Sequence, residues 1–199
     1  PGDTTSLTDV DRGVLVDLGG ASSTVPSHTV NVDNVSVTVQ NEDNGTAIDA
    51  GNIASGANAG PNVTLAVDEV DISGDSNADG IVVDDSGNNE NISISLDDGA
   101  GTTASSFSNL GTAVDLQSLD DLNQDTINHT TFTSVNNGIN IQSDLGSTSQ
   151  LTLDNLSVGL QASGGTGIDF DTGDGTDLVL DSVDVNGYAA SPASTGFRV

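Results

Sequence analysis

Apolar residues recur along this chain in short alternating runs, each broken by a two-residue polar corner. VNVDNVSV at 30–37 sets the pattern, and LAVDEVDI at 65–72, LTLDNLSV at 151–158 and LVLDSVDV at 178–185 repeat it. Weaker copies begin at Ile94 (ISLDD) and Ile127 (INHTTFTS). A period of two places alternate side chains on opposite faces of a strand, so each run predicts strand, corner, strand. A second motif lies between the runs: Gly, apolar or Thr, any residue, apolar. It occurs as GVLV at 13, GTAI at 45, GIVV at 80, GTAV at 111, GINI at 138, GIDF at 167 and GFRV at 196. Successive motif glycines lie 27 residues apart at the closest (Gly111 to Gly138) and 35 at the widest (Gly45 to Gly80). Self-similarity at this period marks a solenoid.

Three strands per repeat form one turn of a coil whose neighbouring turns pair in parallel at about 4.8 Å. The predicted fold is therefore all-β, a right-handed parallel β-helix of about seven rungs with three short strands per rung, one for each glycine motif. Residues 1–199 read as a single domain, expected to be an excerpt or stacking unit of a longer coil. Val30, Val32, Val35, Val37 and Ile48 are the expected inward set of one rung. Gly45, Gly80, Gly111, Gly138 and Gly167 are expected to stack at equivalent corners, where positive φ or close backbone approach requires glycine. Length variation is assigned to the loop after each glycine strand, where solenoids tolerate insertions. A helical solenoid of the same period fails on propensity, because runs such as VNVDNVSVTV are β-branched and alternate by two. An antiparallel sandwich is the remaining alternative, although it does not require one corner residue in every repeat.

Composition sharpens this picture. Aromatics make up 3% of the chain and Met, Trp and Cys are absent, so Val, Ile, Leu and Ala must build the core. Net charge is −28, from 30 acids against two arginines and no lysine. Nucleic acid, whose binders neutralise phosphates with Lys and Arg, is excluded as a partner. An anionic membrane surface is disfavoured on the same ground. No apolar run approaches the roughly 18 to 20 residues of a membrane span, so no membrane insertion is expected. The absence of Cys removes disulfide and Cys-zinc chemistry.

With these residues in view, the sequence resembles the pectate-lyase-like β-helix superfamily and the β-helical passengers of autotransporter and filamentous-haemagglutinin-type adhesins. The resemblance covers nearly the whole chain. It rests on core and corner positions and carries no active-site motif. It implies an extracellular or cell-surface structural or adhesive coil, a subunit or segment of a filament, stalk or layer, with surface glycans as candidate ligands. The alternative it implies is a carbohydrate-active β-helix enzyme, a polysaccharide hydrolase or lyase. A further alternative is a Ca²⁺-dependent, ion-binding surface matrix protein.

The chemistry-bearing residues favour the non-enzymatic reading. β-Helix lyases, as the resemblance implies, need a basic residue beside calcium, and this chain has only Arg12 and Arg198, in its first and last repeats. The acidic pairs Asp84–Asp85, Asp97–Asp98 and Asp120–Asp121 are adjacent in sequence, so on a strand their side chains diverge. His28 and His129 fall in different repeat positions and read as surface or half-buried residues. At least three of Phe107, Phe132, Phe170 and Phe197 sit at inward positions, and with the single Tyr188 they form no sugar-stacking strip.

An aspartate follows most glycine strands: Asp17, Asp49, Asp84, Asp115 and Asp171, with Gln142 interrupting. Stacked in register, neighbouring carboxylates about 5 Å apart would repel by roughly 3 kcal/mol at an effective dielectric of 20, and cations would relieve this. These five are the candidate metal residues, for Ca²⁺ or Na⁺; no cofactor is required by the reading. A second row, Asp33, Asp68, Asp97, Thr130, Asp154 and Asp181, is expected at the corner of the first motif. In both rows Asp also suits turns through bonds to its own backbone. GGTGIDFDTGDGTDLVL from Gly164 resembles the nonapeptide of RTX calcium β-rolls, but Asp171 stands where that repeat needs an apolar residue. An ice-contacting surface would need a flat face of regularly spaced Thr or Asp, of which the sequence displays only partial rows. Six N-x-Ser/Thr sequons, at Asn34, Asn44, Asn62, Asn91, Asn128 and Asn155, are glycan acceptors in a glycosylating secretory host.

The ends follow from the repeat. TSLTDVDRGVLV at 5–16 starts at a corner, with the first strand of its rung missing, and GFRV closes the chain after a glycine strand. Solenoid ends present unpaired backbone unless capped. Homo-oligomerisation or filament growth by end-to-end β-stacking is therefore expected, through Leu7, Val14 and Val16 at one end and Gly196, Phe197 and Val199 at the other.

Overall fold

A computed structural model describes residues 4–17, 28–40, 45–51, 63–84, 92–97, 103–117, 123–143, 150–161, 164–172, 177–187 and 194–199. Every regular element among them is a strand. The first nine are β1 (Thr5–Val10), β2 (Arg12–Asp17), β3 (His28–Asp33), β4 (Val35–Val39), β5 (Thr46–Gly51), β6 (Val63–Asp68), β7 (Asp71–Ser73), β8 (Asp79–Asp84) and β9 (Ile92–Asp97). Then come β10 (Ser105–Ser108), β11 (Thr112–Gln117), β12 (Asn123–Asn128), β13 (Thr130–Val135), β14 (Asn137–Ser143), β15 (Gln150–Leu160), β16 (Thr166–Thr172), β17 (Asp177–Asn186) and β18 (Thr195–Arg198).

From β1 to β12 each strand pairs in parallel with the strand three places on, as in β2–β5–β8–β11–β14, which is the connectivity of a coil with three strands per turn. The chain is thus a parallel β-solenoid, and the antiparallel sandwich is excluded. The glycine-motif strands form one seven-stranded sheet, β2-β5-β8-β11-β14-β16-β18. The other strands join into a second sheet because β15 and β17 each run unbroken through the corner that separates β3 from β4 and β12 from β13.

Period-two alternation explains the core. In β4 the pattern is carried by Val37 and Val39, in β6 by Leu65 and Val67, in β8 by Ile81 and Val83, all at most 2% exposed. These side chains stack on their counterparts one turn away, so the core is a set of continuous columns. One runs Leu7, Val37, Ile72, Phe107, Phe132, Val158, Val185. Phe107 and Phe132 lie at its centre, with ring centroids 5.1 Å apart and planes tilted by 37°. Phe170 is also buried, whereas Phe197 is 39% exposed. Of the expected inward set, Val32, Val37 and Ile48 are buried and Val30 and Val35 pack partly against them.

The motif glycines do not supply left-handed backbone; of their two expected tasks they perform close backbone approach. Among the described residues, the corner after the first strand of a turn is made by Asn34, Glu69, His129, Asn155 and Ser182, all with φ between 48° and 54°. Left-handed backbone is least costly for Asn, Asp and similar short polar residues, which explains the DN, NH and DS pairs here. Their amides still serve the ladder: Asn34 N–H donates to Asp68 O at 3.1 Å and His129 N–H to Asp154 O at 3.2 Å. The motif glycines instead permit close approach. A Cβ on Gly138 would lie 2.3 Å from Gly167 O and 2.7 Å from Val158 Cγ1.

Nor do the five expected glycines share one column. Thr46 pairs with Arg12 and Ile48 with Val14, which puts Ala47 opposite Gly13; Ala113 likewise stands opposite Gly80 and Gly138. Gly45 and Gly111 therefore sit two residues ahead of Gly80, Gly138 and Gly167. A slip of two preserves which side faces inward, so the error leaves the core assignment intact. The loops expected to absorb length variation lie outside the described residues.

Candidate functional site

The same slip separates the aspartates. Register places Leu15, Asp49, Val82, Asp115, Asn140, Asp169 and Arg198 in one outward column of the glycine sheet. Asp17, Gly51, Asp84, Gln117, Gln142 and Asp171 form the next. The single row of stacked carboxylates expected from the motif is thus corrected to two columns. In neither do two acids follow directly on one another, so each carboxylate has a neutral or basic neighbour. Asn140 donates from Nδ2 to Asp115 Oδ1 at 2.8 Å, and Gln117 from Nε2 to Asp115 Oδ2 at 2.5 Å. Among the described residues no group of three or more His, Asp or Glu is arranged to hold a metal ion. The side chain of Asp17 lies outside the described residues.

The corner row is more continuous. Asp33, Asp68, Asp97, Asn128, Asp154 and Asp181 stack in register. Asn128, not Thr130, fills the fourth place, and its Nδ2 donates to Asp97 Oδ1 at 2.9 Å. Thr130 turns inward, 1% exposed, with its hydroxyl on Asn128 O. The alternation breaks at this corner because His129 adopts left-handed backbone, which reorients the chain by one position.

Both arginines are committed to ion pairs within the glycine sheet. Arg12 Nε lies 2.9 Å from Asp49 Oδ2. Arg198 grips Asp169 with two donors, Nε on Oδ1 at 2.6 Å and a second nitrogen on Oδ2. These hydrogen bonds, with the Asp169 charge behind them, raise the pKa of Arg198 further above neutrality. Asp79 is the described acid with a perturbed pKa: burial raises it, opposed by the Thr112 N–H bond to its carboxylate, and the Asp115 charge raises it further.

Asp84 and Asp97 are strand-end residues, while Asp85, Asp98, Asp120 and Asp121 lie outside the described residues, as do Tyr188 and the His28 side chain. The RTX-like stretch contributes β16 and the start of β17, with Ile168 and Phe170 in the core. Of the sequons, Asn34 and Asn155 sit at left-handed corners and Asn128 on a strand; Asn44, Asn62 and Asn91 lie outside the described residues.

One arrangement escaped the sequence reading. On the sheet face formed by β1, β4, β7, β10, β13 and the second halves of β15 and β17, outward positions align as Ser6, Ser36, Asp71, Ser106, Thr131, Ser157 and Asp184. Two residues on, Thr8, Thr38, Ser73, Ser108 and Thr133 align beside them. The signal was the polar half of the period-two alternation, S-x-T or its kin in successive repeats.

Comparison with family models, curated proteins and solved structures returned no match.

Proposed function

We propose that this chain is an extracellular structural or adhesive β-solenoid, a segment or subunit of a cell-surface filament, stalk or layer that extends by stacking rung on rung. The observation that carries the reading is the state of the core columns at the two edges of the stack. Interior column members are covered on both sides, whereas Leu7, Val14 and Val16 at one edge and Leu178, Val183 and Val185 at the other are only partly buried. Leu180, Phe197 and Val199 are 45%, 39% and 87% exposed. Among the described residues β2 pairs only with β5, and β18 only with β16, which leaves a parallel edge on each side. A further rung of the same pattern satisfies both the backbone and the apolar columns: Val185 meets the Leu7 column and Phe197 the Val14 column. A contact between unlike edges does not close on itself and generates a filament. The resemblance to adhesin passengers supports the same reading.

Sedimentation and electron microscopy across a concentration series test it. End-to-end oligomers are expected, and Phe197→Lys should abolish them while the far-UV circular dichroism stays that of a β protein. A monodisperse monomer at high concentration contradicts stacking.

A further inference from the structure

We infer that the Ser/Thr face of β1, β4, β7, β10, β13 and β15 is an ice-binding surface. In a chain of net charge −28, the acids concentrate elsewhere: the corner row around Asp68 and the two outward columns of the glycine sheet. This face presents hydroxyls in two parallel columns, one from Ser6 to Ser157 and one from Thr8 to Thr133, and Asp71 is the one acidic member of these two stretches. Charge segregation of this degree leaves a neutral patch on a strongly anionic molecule.

The geometry of the patch is a lattice. Hydroxyls recur about 4.8 Å apart from strand to strand and about 6.6 Å apart along each strand. The strand-to-strand spacing lies near the shorter oxygen repeat on a prism face of hexagonal ice, and the spacing along the strand falls about a tenth short of the longer one. The register is continuous for these positions from Ser36 through Ser157, so the grid has no dislocation across them. Ser6, Thr8, Thr133 and Ser157 stand exposed and Ser36, Thr38, Ser106, Ser108 and Thr131 are half-buried, so every row keeps surface open to solvent. Some hydroxyls already bond across rungs, as Thr38 Oγ1 does with Ser73 Oγ at 3.3 Å. Each still has capacity to spare, because a hydroxyl offers one donor and two acceptor sites. A neutral grid holds water in fixed places at little entropic cost per molecule. Ionised groups would instead orient water radially, and aromatic rings, which would favour sugar stacking, are absent from both columns. Asp71 is the defect in the grid; its Oδ1 accepts the Ser106 hydroxyl at 2.5 Å.

Partition of the purified chain into a slowly grown ice front, read beside inhibition of ice recrystallisation, is the test. The parent chain should enter the ice. Thr131→Tyr, in mid-face, should be excluded from it, and Thr152→Tyr, in the first half of β15 beside Thr126 and outside the hydroxyl face, should partition as the parent does. Asp71→Thr repairs the grid and should enter more strongly, which keeps the test decisive if the tyrosine variant fails to fold. Exclusion of the parent chain from ice, equal partition of Thr131→Tyr, or retention on crystalline cellulose or chitin without any effect on ice would overturn the inference.

Discussion

A single carbon added at Gly138 has nowhere to go, since the carbonyl oxygen of Gly167 and the Val158 side chain already occupy its space. Gly138→Ala should therefore cost on the order of 1–3 kcal/mol, the range for overpacking a close-packed interior. Urea unfolding of the variant measures it, and an unchanged midpoint would show that the two turns are less tightly apposed. Asp79 offers a test with a sign. Burial raises its native pKa, so its contribution to stability is fully present below the ordinary Asp range and is lost as pH rises through the raised value. Asp79→Asn keeps an oxygen for the Thr112 N–H and cannot ionise. Relative to the parent, the variant's melting temperature should rise between about pH 3 and pH 7. A variant that loses ground towards neutrality would mean that the Thr112 bond to the carboxylate outweighs burial.

Strands here derive their stability from columns rather than from propensity alone. Phe107 is fully buried, stacked between Ile72 and Phe132 in the apolar column that runs from Leu7 to Val185. Phe107→Ala should destabilise by about 3–5 kcal/mol, and the loss should appear in a single cooperative transition if turns unfold together. Two separated transitions would indicate that the coil divides at that rung. The strands and their inward faces were legible in the sequence because alternation by two survives any even error of alignment. Column membership was not: GTAI and GTAV match GIVV by their glycine, yet register follows Ile48, Ile81 and Val114, and the glycine lands two places early. Close approach differs from turn to turn: Gly80 and Gly138 admit no Cβ, whereas buried Ala47 and Ala113 hold the same column position in neighbouring turns. The two-residue polar corners were legible as corners, but not which residue turns left-handed there. Glycine is the usual left-handed residue, but here Asn34, Asn155 and Ser182 take that conformation and remain hydrogen-bonded or exposed at little cost. The hydroxyl grid was invisible because its members are unremarkable singly and become a surface only once the register is known.

The whole molecule carries charge that its fold must tolerate. Interleaving of Asp49, Asp115 and Asp169 with neutral residues removes the worst contacts, but Asp33, Asp68 and Asp97 still stand on adjacent strands. Self-repulsion of this kind is screened over about 10 Å at 0.1 M salt, so melting temperature should climb with NaCl. A flat salt profile would contradict an electrostatic cost. The central claim, parallel turns stacked in the stated register, is most directly tested by pulsed dipolar spectroscopy, because the chain lacks cysteine and accepts spin labels at chosen sites. Labels replacing Ser6 and Thr131 are separated by four turns of one column, about 19 Å, and those at Ser6 and Asp184 by six turns, about 29 Å. A distance that lengthens by about 10 Å, two strand spacings, between the first pair and the second is the predicted result. Equal or shorter separation for the second pair would contradict the stacked coil.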